Sequence, residues 1–255
     1  MDLSAPPPAA TATPPTAAPD AMLHRLPAAR VVDRVAYLLE QARGRRVVHL
    51  GFVDAGLMQR RREHGAWLHA RLAGSARELV GVDLDEAGVE LARAAGYQAL
   101  AADCQSGAAL RALGLAPADL VVAGELLEHL DCPGRFLEAV KPLLAPGGAL
   151  LLTTPNATAL GNFLAALRHH EAVNPDHVSW YSWRTLVTLL GRHGWVVRDF
   201  CYYAYEDAAP PAARGLPPAA RLRRRGAAAV RAATRSLLPR WPSLADGLVV
   251  RCTSG

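Results

Sequence analysis

The stretch VVHLGFVDAG, residues 47–56, decides the fold. Val47 and Val48 favour an extended backbone, and the run breaks into a turn at Gly51, which is how a βαβ unit opens. Such a turn ordinarily carries several closely spaced glycines, so that backbone can approach a bound nucleotide and take up positive φ. Only Gly51 and Gly56 stand here, with Phe52, Val53, Asp54 and Ala55 between them. Either this loop serves a ligand without the usual glycines, or it has lost that ligand.

Outward from that stretch, apolar strands alternate with helical patterns. RVVHL is followed by a helix across LMQRRREHGAWLHARLA, and ELVGVD by a helix in EAGVELARAAG. YQALAAD precedes the short helix GAALRALGL, and DLVVA precedes GELLEHL and a helix in GRFLEAVKPLLA. GGALLLTTP is a strand before a helix in ATALGNFLAALRHH. Ser182 reads as the N-cap of WRTLVTLLGRHG, after which WVVRDFCYYAYE and LADGLVVRCT are the last strands. Near-continuous Val and Leu strands between helices predict a parallel sheet covered on both faces, doubly wound and Rossmann-like. The last strand is expected to insert antiparallel. In front of all this, ARVVDRVAYLLEQARG places Val31, Val32, Val35, Leu38 and Leu39 on one helical face.

The flanks differ in composition. Residues 1–21 are almost only Ala, Pro and Thr and are expected to be a disordered tail, leaving a domain over 28–255. A Pro- and Arg-rich insertion at about 207–243 separates the last two strands. Residues 211–240 hold eight arginines and no acid against a net charge of +5, so the rest of the chain is net negative. That segment reads as a solvated helix packed through Leu222, Val230, Leu237 and Leu238. It could also steer an anionic acceptor or rest on an anionic membrane surface. Without interleaved aromatics for base stacking, nucleic acid is the weaker partner. Four well-separated cysteines, Cys104, Cys132, Cys201 and Cys252, read as reduced thiols rather than a disulfide frame or zinc site. No leader pattern or membrane span is visible, and the expected location is the cytoplasm, or the inner membrane surface as a peripheral protein.

In a doubly wound sheet the ligand lies beyond the carboxyl ends of the strands. Gly51, Asp54 and Gly56 fall there after the first strand, and Asp83 after the second, where a carboxylate can accept from a ribose diol. Asp103 follows the third, placed for an adenine amino group, and Glu125 follows the fourth. His49 stands where an acid would precede the first glycine. His64, Trp67 and His69 read as core or surface positions of the first crossover helix. Trp180, Tyr181 and Trp183 read as packing or as walls of an acceptor pocket.

Residues from about 45 to 200 resemble the class I S-adenosylmethionine-dependent methyltransferases. The likeness is strongest in VGVDLD, in ADLVVAGELLEHLDCPGRFLEAVKPLLAPGGALLLTTPN and in DHVSWYSWRTLVTLLGRHGW. WLHARL and VGVDLDEAGVELARAAGY resemble a bacterial branch associated with glycan and natural-product pathways. The resemblance implies a seven-stranded sheet in the order 3-2-1-4-5-7-6 and S-adenosyl-L-methionine as methyl donor. Gly51, Asp54, Gly56, Asp83, Asp103 and Glu125 would line its site.

GELLEHL adds a second cluster. Glu125, Glu128 and His129 are spaced i, i+3 and i+4, so on a helix they share one side. With His177 of NPDHVSWYS they could hold a divalent metal, Mg, Mn, Zn or Fe. Ubiquinone-pathway O-methyltransferases and small-RNA 3′-end methyltransferases, as families, use an ExxEH run with a later His in this way. Without a metal, His129 or His177 is the candidate catalytic base. The expected reaction is O-methylation of a sugar or secondary-metabolite hydroxyl on a small-molecule or glycan acceptor, anionic or lipid-linked. The alternatives are an RNA ribose 2′-O-methyltransferase and a non-catalytic Rossmann-type binding or scaffold subunit.

Overall fold

The computed structural model describes residues 22–54, 56–205, 217 and 232–255. The tail at 1–21 lies outside the described residues. So do most of the Arg-rich insertion, six of its eight arginines, Leu222 and Val230. The described chain runs β1 (Val31–Val32), α1 (Arg34–Ala42), β2 (Arg46–Leu50), α2 (Met58–Glu63), α3 (Leu68–Ala73), β3 (Glu78–Asp83) and α4 (Glu86–Ala94). It continues through β4 (Ala99–Ala101), α5 (Gly107–Ala112), β5 (Ala118–Gly124), α6 (Pro133–Ala139) and β6 (Leu144–Pro155). Last come α7 (Leu160–Ala166), α8 (Trp183–Arg192), β7 (Trp195–Tyr203) and β8 (Gly247–Ser254).

The sheet order is β1-β7-β8-β6-β5-β2-β3-β4. All pairings are parallel except those of β8, which is antiparallel to both β6 and β7. Counted from β2, this is the expected seven-stranded order with its antiparallel final strand. The eighth strand, β1, is the difference. Val31 and Val32 do not join the first helix but pair with Tyr202 and Tyr203. Asp33 starts the helix instead, its carboxylate accepting the Ala36 N–H at 2.8 Å. Two β-branched residues before such a cap are better placed in an extended strand.

Successive strand residues enter opposite apolar layers, which explains why the strands read as continuous Val and Leu. Val48, Leu50, Val121 and Leu150 face one layer with Leu137, Leu186 and Leu190. Val47, Leu120, Val122 and Leu151 face the other with Leu38 and Leu72. Leu238, at the far end of the insertion, is buried in the first layer. Among the described residues no helix is long and apolar enough to cross a membrane.

The first crossover helix is two helices rather than one. Gly65 at φ +65° lets the Ala66 N–H return to the Arg61 carbonyl at 2.7 Å and the Gly65 N–H to Arg62 at 3.0 Å. This left-handed stop ends α2. The turn drives Trp67 and His69 inward, where they are 1% and 0% exposed.

His69 meets His49 there, the two Nδ1 atoms 3.2 Å apart and the rings stacked at 5.4 Å. Phe52, Trp67 and Tyr97 pack around the pair. Burial holds both imidazoles neutral, His49 far below its usual range and His69 down to about 4. A depressed imidazole pKa means that the unfolded chain takes up the proton first. The pair therefore costs nothing above the unfolded value of about 6.5 and loses stability as pH falls from there toward 4. Replacing His69 with Leu should reduce the loss of unfolding free energy across that window by roughly 1–3 kcal/mol, read from denaturant curves at each pH. An unchanged pH slope would remove the pair from the account.

Candidate active site

The carboxyl ends of β2, β3, β4, β5 and β6 open onto one edge of the sheet, and the first-strand loop is the place to begin. Gly51 has φ +65°, and a Cβ there would lie 2.7 Å from a Leu126 methyl. This glycine is required both by its backbone and by the loop after β5. Phe52 and Val53 do not face the cleft. The Phe52 ring is buried over Gly81 of β3, and its carbonyl accepts the Trp67 Nε1–H at 3.0 Å. Val53 packs on Gly88 of α4. The Val53 N–H donates to Asp83 Oδ2 at 2.8 Å. Asp54 is ion-paired with Arg61, and its carbonyl accepts the Leu57 and Met58 N–H groups at 2.8 and 2.9 Å. Gly56 has φ +72° with open space beside it, and Ala55 lies outside the described residues.

Asp83 also accepts the Asp85 N–H through Oδ1 at 3.0 Å. Burial raises its pKa, and the two backbone N–H bonds oppose that rise. Each carboxylate oxygen still has a lone pair, so two further donors can be accommodated. Asp103 is built alike: Oδ1 accepts the Gln105 N–H at 2.8 Å. Gln105 in turn takes the Cys132 N–H at 2.8 Å, tying the loops after β4 and β5 together. Two half-buried carboxylates with spare acceptor capacity therefore follow β3 and β4, an acceptor set that fits the hydroxyls and amino group of an adenosine.

The loop after β5 departs from expectation. Glu125, Glu128 and His129 do not share a helix face, because Glu125 takes a left-handed φ of 54° and only Leu127–His129 form a single 3-10 turn. The Glu125 N–H is spent on the Thr153 carbonyl at 2.9 Å. Its carboxylate accepts from Tyr203 at 2.5 Å, Tyr205 at 2.6 Å and Thr153 Oγ1 at 3.2 Å. Arg34 Nε donates to the same Thr153 hydroxyl at 3.0 Å. Glu125 is thus held away from the other three as part of a tyrosine-lined network.

Glu128, His129 and His177 do converge, with one ligand atom of each within 4.8 Å of the others. Glu128 is fully buried. Its Oε2 accepts from Thr154 Oγ1 at 2.9 Å, while Oε1 has no partner among the described residues. Burial, reinforced by the neighbouring Glu125 carboxylate, pushes its pKa up to about 8. His177 comes from far along the chain, delivered by backbone bonds. The Val178 and Ser179 N–H groups both donate to the Glu128 carbonyl, at 2.9 and 3.2 Å. The far end of the 157–180 segment is pinned where Asn156 bridges Tyr181 and the Ala157 N–H reaches the Tyr181 carbonyl at 2.8 Å. The His177 ring stands perpendicular to His129 at 4.5 Å, and its buried Nδ1 also lacks a partner. Burial and the adjacent His129 lower its pKa, so it is neutral near pH 7. Two orphaned, buried ligand atoms in one cluster cost free energy unless something binds them, and O plus N donors suit a divalent cation.

Of the expected aromatics, Tyr181 is buried and Trp183 packs on Phe200 with the rings tilted and their centroids 4.1 Å apart. Sequence reading missed Arg34, Thr153, Thr154, Tyr203 and Tyr205. Thr153 and Thr154 are polar residues ending an otherwise apolar strand, which was a usable signal; the tyrosines carried none.

A family model described as a methyltransferase domain matches residues 23–199. The chain belongs to that methyltransferase family, in the class I S-adenosylmethionine-dependent group. A crystal structure of a SAM-dependent methyltransferase from Archaeoglobus fulgidus aligns with a TM-score of 0.51 at 16% identity, over 86% of this chain and 90% of that one. Magnesium protoporphyrin IX methyltransferase from Synechocystis PCC 6803, solved with bound SAH, aligns at 0.52 with 12% identity, over 87% of this chain and 80% of that one. At these identities both likenesses describe the fold. A ubiquinone biosynthesis O-methyltransferase of Caulobacter sp. (strain K31) is 41% identical over 58 residues. The matched part spans 23% of this chain and 23% of that relative.

Proposed function

We propose that this protein transfers a methyl group from S-adenosylmethionine to a hydroxyl of a small organic acceptor, held at Glu128, His129 and His177. The observation that carries this reading is the convergence of Glu128, His129 and His177, two of which hold a buried atom with no partner among the described residues, Glu128 Oε1 and His177 Nδ1. The local likeness to an O-methyltransferase supports hydroxyl chemistry.

The donor supplies a methyl already activated on a sulfonium, so the protein's part is alignment and proton removal. Asp83 and Asp103 accept hydrogen bonds from the adenosine, and Gly51 keeps the loop open for it. Glu128, His129 and His177 would hold a divalent ion, which would lower the pKa of an acceptor hydroxyl bound beside it. With no ion, neutral His177 is placed to take the hydroxyl proton. Glu125, engaged by two tyrosines, is kept out of the ion's ligand set.

Metal-stripped protein titrated with Co²⁺ should develop visible absorption bands at one equivalent, and Glu128→Gln and His177→Ala should each abolish them. Wild-type protein that gives no bands, while still binding S-adenosylhomocysteine, would leave His177 as base and remove the ion.

A further inference from the structure

The glycines missing from the first loop stand on the elements against which that loop packs. Gly88 lies in the first turn of α4 with its N–H on the Asp85 side chain at 3.1 Å. A Cβ at Gly88 would lie 2.3 Å from one Val53 methyl and 2.9 Å from the other. A Cβ at Gly81 would lie 2.7 Å from the Phe52 ring and 2.9 Å from His69. Neither glycine has a positive φ, so neither is required by its own backbone. What each provides is room. The side chains that would crowd a ligand in a glycine-poor loop instead turn outward and fill those two spaces.

Val53 links this packing to the site, because its N–H is bonded to the Asp83 carboxylate at 2.8 Å. Anything that lifts Val53 off α4 moves that N–H and turns the carboxylate that faces the donor ribose. We propose that Gly88 is a positioning residue for the methyl donor, acting through Val53 on Asp83, with Gly81 seating Phe52 in the same manner. This inference rests on the donor reading above.

Calorimetric titration with S-adenosylhomocysteine, with melting temperature recorded in parallel, tests it. Gly88→Ala should bind at least tenfold more weakly. Its helix should not be weakened in itself, since alanine is the better helix former. Val53→Ala in the Gly88→Ala background should restore affinity to within about threefold of wild type, because it vacates the space that the new methyl needs. Val53→Ile, which crowds the same contact from the loop side, should also weaken binding. Three outcomes overturn the inference: wild-type affinity in Gly88→Ala, wild-type affinity in Val53→Ile, or a double variant that folds and still fails to bind. If Gly88→Ala does not fold, the double variant and Val53→Ile decide. Absence of binding in the wild type would remove the donor reading itself, and this inference with it.

Discussion

Replacing Asp83 with alanine should weaken S-adenosylhomocysteine binding by about 100-fold. Hydrogen bonds to a charged partner contribute about 1.5–3 kcal/mol each, and about 1.4 kcal/mol is a factor of ten. Loss of two ribose contacts alone accounts for that effect. The substitution also releases the Val53 and Asp85 N–H groups, which Asp83 holds at 2.8 and 3.0 Å. Asp83→Asn separates the contributions, since it keeps one acceptor oxygen and nearly the same volume, and it should bind between the two. Calorimetry gives the affinities, and a melting curve shows whether the fold survives. An Asp83→Ala protein that is folded and binds as tightly as wild type would remove the ribose assignment.

His177→Ala should lower the rate of methyl transfer at least about 100-fold while leaving S-adenosylhomocysteine affinity within about threefold. A positioned base or ion-assisted deprotonation contributes about 10²–10⁴ in rate. His177 reaches the cluster on a segment hung from Glu128 and Tyr181, and it makes no contact with Asp83 or Asp103 among the described bonds. The two sets of residues should therefore separate kinetically: Asp83 substitutions act on donor binding, His177 substitutions on turnover. Glu128→Gln should follow His177 in turnover and keep its fold, because glutamine preserves the Thr154 bond at a site where the carboxyl already favours its neutral form. Equal loss of donor affinity in both classes would mean one merged site and would contradict the division.

The sheet was legible because its strands are apolar on both faces, a pattern that follows from burial between two helix layers. Order and direction of the last strand followed from the family resemblance and the lack of a crossover helix. Local signals failed where a distant partner decides the backbone. Nothing near Glu125 announces its left-handed turn, because Tyr203, the last residue of β7, and Tyr205 just beyond it come 78 and 80 positions later. The ExxEH spacing suggested a shared helix face, yet the convergence of Glu128 and His129 with His177 arises from a 3-10 turn and a long loop pinned by backbone bonds. His49 stood where the family carries an acid; its partner, His69, becomes visible only once the Gly65 turn is known to face α3 inward.

Phe52 and Val53 are the instructive residues. Counted along the chain, Val53 stands where a glycine belongs and Phe52 stands beside it. In space they leave the cleft, seated on Gly81 and Gly88. The signal was present in the sequence, as one glycine in the middle of a strand and another in the first turn of a helix, but it is read only with the packing in hand.

The most direct test of the account is titration of the wild-type, metal-stripped protein with S-adenosylhomocysteine. The account predicts one site with micromolar affinity, because Phe52 and Val53 pack on Gly81 and Gly88 and Asp83 and Asp103 keep acceptor capacity although the glycine run is absent. A folded protein showing no heat of binding at millimolar ligand would contradict it, and the chain would then be a methyltransferase fold that has given up its donor.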